Sequence, residues 1–227
     1  FMDILYEDNH LIAVFKPAGK LVQGDHSGDP CLLDEVKYFI KQRDNKPGNV
    51  FLGMLHRLDR PVSGIVLFAK TSKGASRLSE QFRNHTIEKT YHALIIGVPK
   101  EKSARLVHYL KKDPNVNKTQ VFDRPVDGAQ EAVLAYEVVT PASLPPHGGR
   151  NTLVKINLET GRPHQIRAQL AAIGHPIVGD VKYGAPIQSA DRSLALCATG
   201  LRFRLSTKDE EKEITISVPA DWRKYIS

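Results

Sequence analysis

The chain has 227 residues, 41% hydrophobic and 25% charged, a soluble globular balance sufficient for one sizeable domain or two small ones. Its 32 Lys and Arg against 25 Asp and Glu leave a net charge of +7, which favours polyanionic partners, with nucleic acid ahead of an anionic membrane. No apolar run reaches membrane-spanning length, and Cys31 and Cys197 lie far apart without metal-ligand spacing, so they read as buried thiols in a reducing compartment.

The start, FMDILYEDN, has no basic-then-apolar signal pattern, and the cytoplasm is the expected location. Two short apolar runs around a polar turn, ILYEDNHLIAVFKPAG, predict a β-hairpin. Asp29-Pro30 predicts the cap and first residue of a helix whose inward face carries Leu32, Leu33, Val36, Phe39 and Ile40. GNVFLGML runs extended into a charged loop, and Ile65 to Ala69 is an apolar strand. Thr71-Ser72 predicts the cap of a second helix, with Ala75, Leu78 and Phe82 facing inward. EKTYHALIIGV reads as a strand with Tyr91 near its start.

Residues 100 to 124 are polar and basic, seven Lys/Arg against three Asp/Glu, with a turn at Asp113-Pro114-Asn115. Lys111 and Lys112 are its candidate contacts to a phosphate backbone. AVLAYEVVT and LVKINLE are strand-like runs separated by the loop PASLPPHGGRN. GRPHQIRAQLAAIG predicts a third helix, with Pro163 near its first turn, Gly174 ending it, and Ile166, Leu170 and Ile173 as its buried stripe. LALCATGLRFRL and EITISV close the chain as two strands around a charged turn. Several hairpins and three helices predict an α+β fold with a mainly antiparallel sheet, and no composition shift divides residues 1–227, which read as one catalytic domain.

The unusual feature is HRLDRPVSGIVLFAK, where Asp59 sits among His56, Arg57 and Arg60 on a loop anchored by a strand. Neighbouring arginines favour the ionised carboxylate, which can be a nucleophile, one member of a structural ion pair or an incidental charge that repels phosphate. His164, Gln165 and Arg167 cluster at the start of the third helix, a place that suits an anion; a solvated helix start is the plain alternative. Tyr91 alone reads as strand packing. There is no G-x-x-x-x-G-K-[ST], no G-x-G-x-x-G and no His/Cys metal spacing, so no nucleotide, redox cofactor or metal is expected. His10, His26, His85 and His175 are scattered without ligand spacing.

As a set, four segments resemble the RluA-type pseudouridine synthases, in that family's order and from about Ile4 to about Trp222. LIAVFKPAGKLV resembles the opening lysine–proline motif, and HRLDRPVSGIVLFAK the catalytic loop usually written HRLD-x-x-T-S-G. EKTYHALIIG is similar to the strand holding the active-site tyrosine, and GRPHQIRAQLAAIGHPIVGDVKYG to the long motif containing H-Q-I-R. The resemblance implies the pseudouridine synthase fold, a mixed, mainly antiparallel sheet flanked by helices with a central cleft. It also implies isomerisation of specific uridines in structured ribosomal or transfer RNA by base flipping, with no cofactor.

Residue by residue, the resemblance makes Asp59 the catalytic aspartate and Tyr91 the tyrosine that packs on the base and moves its proton. Arg167 would pair with the aspartate and orient it, and Arg57 would fill the space left by the extruded base. His56, Arg60, His164 and Gln165 join Arg57, Lys111 and Lys112 as expected RNA contacts. Val62 stands where the family usually has Thr, which removes a hydroxyl beside the loop and puts a loop-capping hydrogen bond in doubt. The first motif begins almost at residue 4, so an N-terminal S4-type domain is not expected; a monomer acting on an RNA stem-loop, without a membrane, is.

Two alternatives compete. A glycosidic hydrolase would need a second positioned carboxylate, and only Glu159 lies near the later motif. A non-catalytic RNA-binding or ribosome-assembly factor on the same fold is opposed by the intact Asp59, Tyr91 and Arg167.

Overall fold

The computed structural model describes residues 2–139, 151–207 and 209–225; the loop PASLPPHGGRN, except Asn151, lies outside them. In chain order the first elements are strands β1 (Ile4–Glu7) and β2 (Leu11–Lys16), helix α1 (Leu32–Arg43), strands β3 (Gly53–Met54) and β4 (Ser63–Ala69), and helix α2 (Ser72–Arg83). Strands β5 (Glu88–Ile96), β6 (Ser103–Asp113), β7 (Lys118–Phe122), β8 (Gln130–Val138) and β9 (Asn151–Leu158) follow. Helix α3 (Gln165–Ala172), β10 (Leu196–Arg204) and β11 (Glu211–Thr215) complete the set. The chain forms two compact units, Phe1–Ile87 with Gly200–Ile216, and Glu88–Thr199 with Ser217–Ser227.

The first unit begins with the expected hairpin. Asp8 closes its turn, because the carboxylate accepts the backbone N–H groups of His10 and Leu11, each at 2.7 Å. β2 then pairs antiparallel with β4, from Leu11 opposite Ala69 to Lys16 opposite Gly64. LIAV and IVLFA are unbroken apolar runs rather than alternating ones, and they are buried on both faces, as such runs require. α2 starts at the predicted cap: the Thr71 hydroxyl accepts the Gly74 N–H at 3.1 Å. Leu78 is wholly buried against Leu11, Ile65 and Phe203, with Ala75 and Phe82 beside it. Truncating Leu78 to Ala costs roughly 2–5 kcal/mol.

The first helix corrects the sequence expectation. Cys31 holds the cap position and the helix begins at Leu32, so Asp29-Pro30 is neither cap nor first residue. Asp29 is engaged elsewhere, in an ion pair with Arg60 at 2.7 Å. The inward face is in part as read: Leu32, Val36 and Ile40 are buried, while Leu33 and Phe39 are half-buried.

The second unit is built on antiparallel strands in the order β5-β9-β8-β6-β7. The basic stretch 100–124 forms the β6–β7 hairpin, with Lys111 opposite Gln120 and Lys112 opposite Thr119. α3 is buried from Gln165 to Leu170 and lies against β6 and β7. Pro163 precedes α3 rather than entering its first turn; His164 takes the cap position in the left-handed region, φ 54°. At the other end Gly174, at φ +85°, supplies the left-handed residue that lets the His175 N–H return to the Leu170 carbonyl.

Candidate active site

The loop that carries Asp59 is held by the first of the sequence motifs. Its own turn closes through the Val62 N–H, which donates to the Asp59 carbonyl at 3.0 Å. The next carbonyl, that of Arg60, accepts from Gly19 N–H at 2.8 Å and from Lys16 Nζ at 3.1 Å. Arg60 answers with its side chain: Nε donates to the Gly19 carbonyl at 2.9 Å, and Nη2 reaches Asp29. Gly64, at φ +127°, lets the chain swing from this loop into β4, a backbone region that favours glycine.

Lys16 is 0% exposed, an expensive place for an ammonium group. The charge is tolerated because all three protons find carbonyls, those of Pro17 at 3.1 Å, Lys20 at 2.8 Å and Arg60 at 3.1 Å. Burial nevertheless pushes its pKa down to about 8, opposed by the negative field of Asp59 and reinforced by Arg60 and Lys20. The lysine of KPAG is therefore a post under the Asp59 loop, and Asp59 supplies part of the field that keeps it charged.

The other members of the loop divide by exposure. Leu58 is buried and pins the loop, Asp59 is half-buried, and Arg57 and Arg60 are exposed. His56 turns inward: Nε2 accepts the Leu67 N–H at 3.0 Å and the ring stacks on Phe82 at 5.0 Å between centroids. Val62 is buried. An apolar side chain there needs no partner, and the turn is closed by the backbone bond from the Val62 N–H to the Asp59 carbonyl.

The remaining expected site residues lie in the second unit. Tyr91, 8% exposed, sits on β5 opposite Ile156 of β9. Arg167, 6% exposed, gives Nε and Nη2 to the two oxygens of Asp180 at 2.7 and 2.9 Å, a bidentate fork in a buried setting. Its guanidinium carbon lies 5.1 Å from the centroid of Tyr183. Gln165 is buried too; its Oε1 accepts from the Arg162 N–H and the Thr160 hydroxyl, and its Nε2 donates to the Val133 carbonyl. Its amide thus braces the turn that leads into α3. His164 Nδ1 lies 2.9 Å from the Tyr183 hydroxyl.

Lys111 and Lys112 are both exposed and, as neighbours on a strand, point to opposite faces. Lys111 Nζ donates to the Asp127 carbonyl at 2.9 Å. The structure therefore groups His56, Arg57, Asp59 and Arg60 in one unit, and Tyr91, Lys111, Lys112, His164, Gln165 and Arg167 in the other. Sequence reasoning gave no role to Lys16, Asp180 or Tyr183, although each lies inside a quoted motif. The available signals were a lysine closing an apolar strand and an acid and a phenol in GDVKYG.

Comparison with known proteins shows the family. Residues 10–172 match the family model described as RNA pseudouridylate synthase. The chain is 36% identical to a tRNA pseudouridine synthase C of Vibrio cholerae, over 100% of this chain and 95% of that protein. It is 30% identical to a ribosomal large subunit pseudouridine synthase D of Zymomonas mobilis, over 97% of this chain and 70% of that one. Among solved structures, human RNA pseudouridylate synthase domain containing 4 superposes with a TM-score of 0.78 at 25% identity, covering 97% of this chain and 90% of that one. With the α+β architecture, the HRLD loop and these matches together, the chain belongs to the RNA pseudouridylate synthase family, whose members isomerise uridine in RNA to pseudouridine.

Proposed function

We propose that this enzyme isomerises a uridine in transfer RNA, with Asp59 as the catalytic carboxylate. The observation that carries the choice of RNA is the 36% identity to a tRNA pseudouridine synthase C along the whole chain. Asp59 is supported by its place in the HRLD motif and by the bonds that fix its loop.

The chemistry requires the bond from N1 to C1′ to break, the uracil to turn, and C5 to join C1′. The target lies inside an RNA stack, so the nucleotide is flipped out first. As the base leaves, C1′ becomes electron-poor, and a carboxylate beside it stabilises or captures that carbon. Once C5 is joined to C1′ it must lose its proton, while N1 gains one, so the reaction is redox-neutral. Tyr91 is the phenol assigned to that proton, and Arg167 the guanidinium that pairs with Asp59 and orients it. Arg57, exposed at the loop, takes the place of the extruded base. Lys111 or Lys112 and Arg60 meet phosphates on either side.

We read the enzyme as a cytoplasmic monomer; among the described residues no helix is long and apolar enough to cross a membrane. The test is incubation of the purified protein with unmodified tRNA transcripts and with large-subunit ribosomal RNA fragments, followed by carbodiimide mapping of pseudouridine. The proposal expects a specific stop in a tRNA; stops confined to the ribosomal fragments would overturn it.

A further inference from the structure

Tyr183 joins three elements of the second unit, and nothing in the chemistry above uses it. It ends the short 3-10 turn Val181–Tyr183 and is buried. Its hydroxyl accepts the backbone N–H of Thr119 at 2.8 Å and meets Nδ1 of His164, the residue that caps α3. Its ring lies under the guanidinium of Arg167, which Asp180 forks from the edge. Thr119 adds a second tie, from its hydroxyl to the Pro163 carbonyl at 2.8 Å.

Thr119 is an informative partner. It belongs to β7, the last strand in the sheet order, and its N–H is given to a side chain outside the ladder. On an edge strand the default partner for such a group is water. Here it is a buried phenol, and Thr119 itself lies directly across the ladder from Lys112. The basic hairpin is thus fastened to the start of the helix that carries Arg167, and Tyr183 touches both.

We propose that Tyr183 is a positioning residue that couples the basic β6–β7 hairpin to the guanidinium of Arg167. The inference rests on the reading of Arg167 given above. Ring and hydroxyl have separable tasks. A carboxylate fork fixes the guanidinium within its own plane, and an aromatic face beneath it resists tilting out of that plane. The hydroxyl holds the hairpin strand, and through it the surface that grips RNA.

The experiment is single-turnover tritium release from a C5-tritiated tRNA transcript, read as the rate at saturation and the half-saturating RNA concentration. Tyr183→Phe keeps the ring, so the saturated rate stays within about threefold of wild type. Half-saturation rises at least about fivefold, the size of one buried hydrogen bond. Tyr183→Leu loses both tasks, and its saturated rate falls at least about tenfold as well. Thr119→Val, which removes the second tie, shifts half-saturation in the same direction as Tyr183→Phe.

Tyr183→Phe and Tyr183→Leu giving the same split, or both leaving the two parameters unchanged, overturns the coupling. Should Tyr183→Leu fail to fold, the Arg167 Nε–H resonance, assigned by its loss in Arg167→Lys, carries the ring claim. A ring-current displacement present in wild type and in Tyr183→Phe supports it, and its absence overturns it. An Arg167→Lys variant with the wild-type saturated rate overturns the reading of Arg167 itself. A slow Arg167→Lys beside a normal Tyr183→Leu overturns only the coupling.

Discussion

Replacing Lys16 by Met tests whether the KPAG motif supports the Asp59 loop. Met keeps the unbranched stem in its buried slot and removes only the charged head. Three hydrogen bonds from that head are lost, to the carbonyls of Pro17, Lys20 and Arg60. Bonds from a charged donor contribute about 1.5–3 kcal/mol each, so the loss is on the order of 6 kcal/mol. Against it stands the cost of burying the charge. A lysine whose pKa falls from 10.5 to about 8 carries a penalty of about 3 kcal/mol, which the substitution removes. The net destabilisation is about 3 kcal/mol, a fall in Tm of roughly 6–12 °C for a chain of this size.

Titration gives the same account a second test. The folded pKa of Lys16 lies below the unfolded one, so between about pH 8 and 10.5 the unfolded chain binds more protons. Wild-type stability therefore gains, relative to Lys16→Met, as pH rises through that window, by up to about 3 kcal/mol. Urea unfolding of both proteins from pH 7 to 10 reads both quantities, and single-turnover isomerisation reads the loop. A loop that loses one of two donors on the Arg60 carbonyl should turn over at least about tenfold more slowly. Equal stability of the two proteins, or a gap that narrows as pH rises, would refute the reasoning.

Two further outcomes follow from the site. Tyr91→Phe keeps the ring that the proposal packs on the base, so RNA binding should hold while the saturated rate falls at least about a hundredfold; tritium release near the wild-type rate would make Tyr91 packing only. Neutralising Lys111 and Lys112 together should flatten the slope of log affinity against log salt by about one, because the two side chains point to opposite faces and one alone can follow a given backbone; an unchanged slope would mean that neither touches RNA.

Local signals in the sequence carried well into the structure. The Asp8 turn, the Thr71 cap and the Gly174 stop depend on neighbours within a few residues, and each formed where the pattern placed it. The apolar runs of β2 and β4 formed strands as expected, and the structure adds that both of their faces are covered. The failures were tertiary. Asp29 has the chemistry of a helix cap, but Arg60, distant in sequence, holds it instead. The β6–β7 hairpin was hidden because Leu106 and Leu110 on one face of β6 and Val107 and Tyr109 on the other blur the apolar–polar alternation that marks a strand. Lys16, Asp180 and Tyr183 were visible as letters, yet their roles arise from burial and from partners that spacing does not reveal. For Arg167 the helix was legible in the sequence, while its burial and its fork with Asp180 emerged only in three dimensions.

The central claim is that Asp59 performs the chemistry on an RNA gripped by other residues. Asp59→Asn keeps the shape of the side chain and removes its charge. Single-turnover tritium release from a C5-tritiated tRNA transcript, with filter binding of the same RNA, measures both halves of the claim at once. The account predicts no detectable release with affinity within a few fold of wild type; release at the wild-type rate by Asp59→Asn would contradict it.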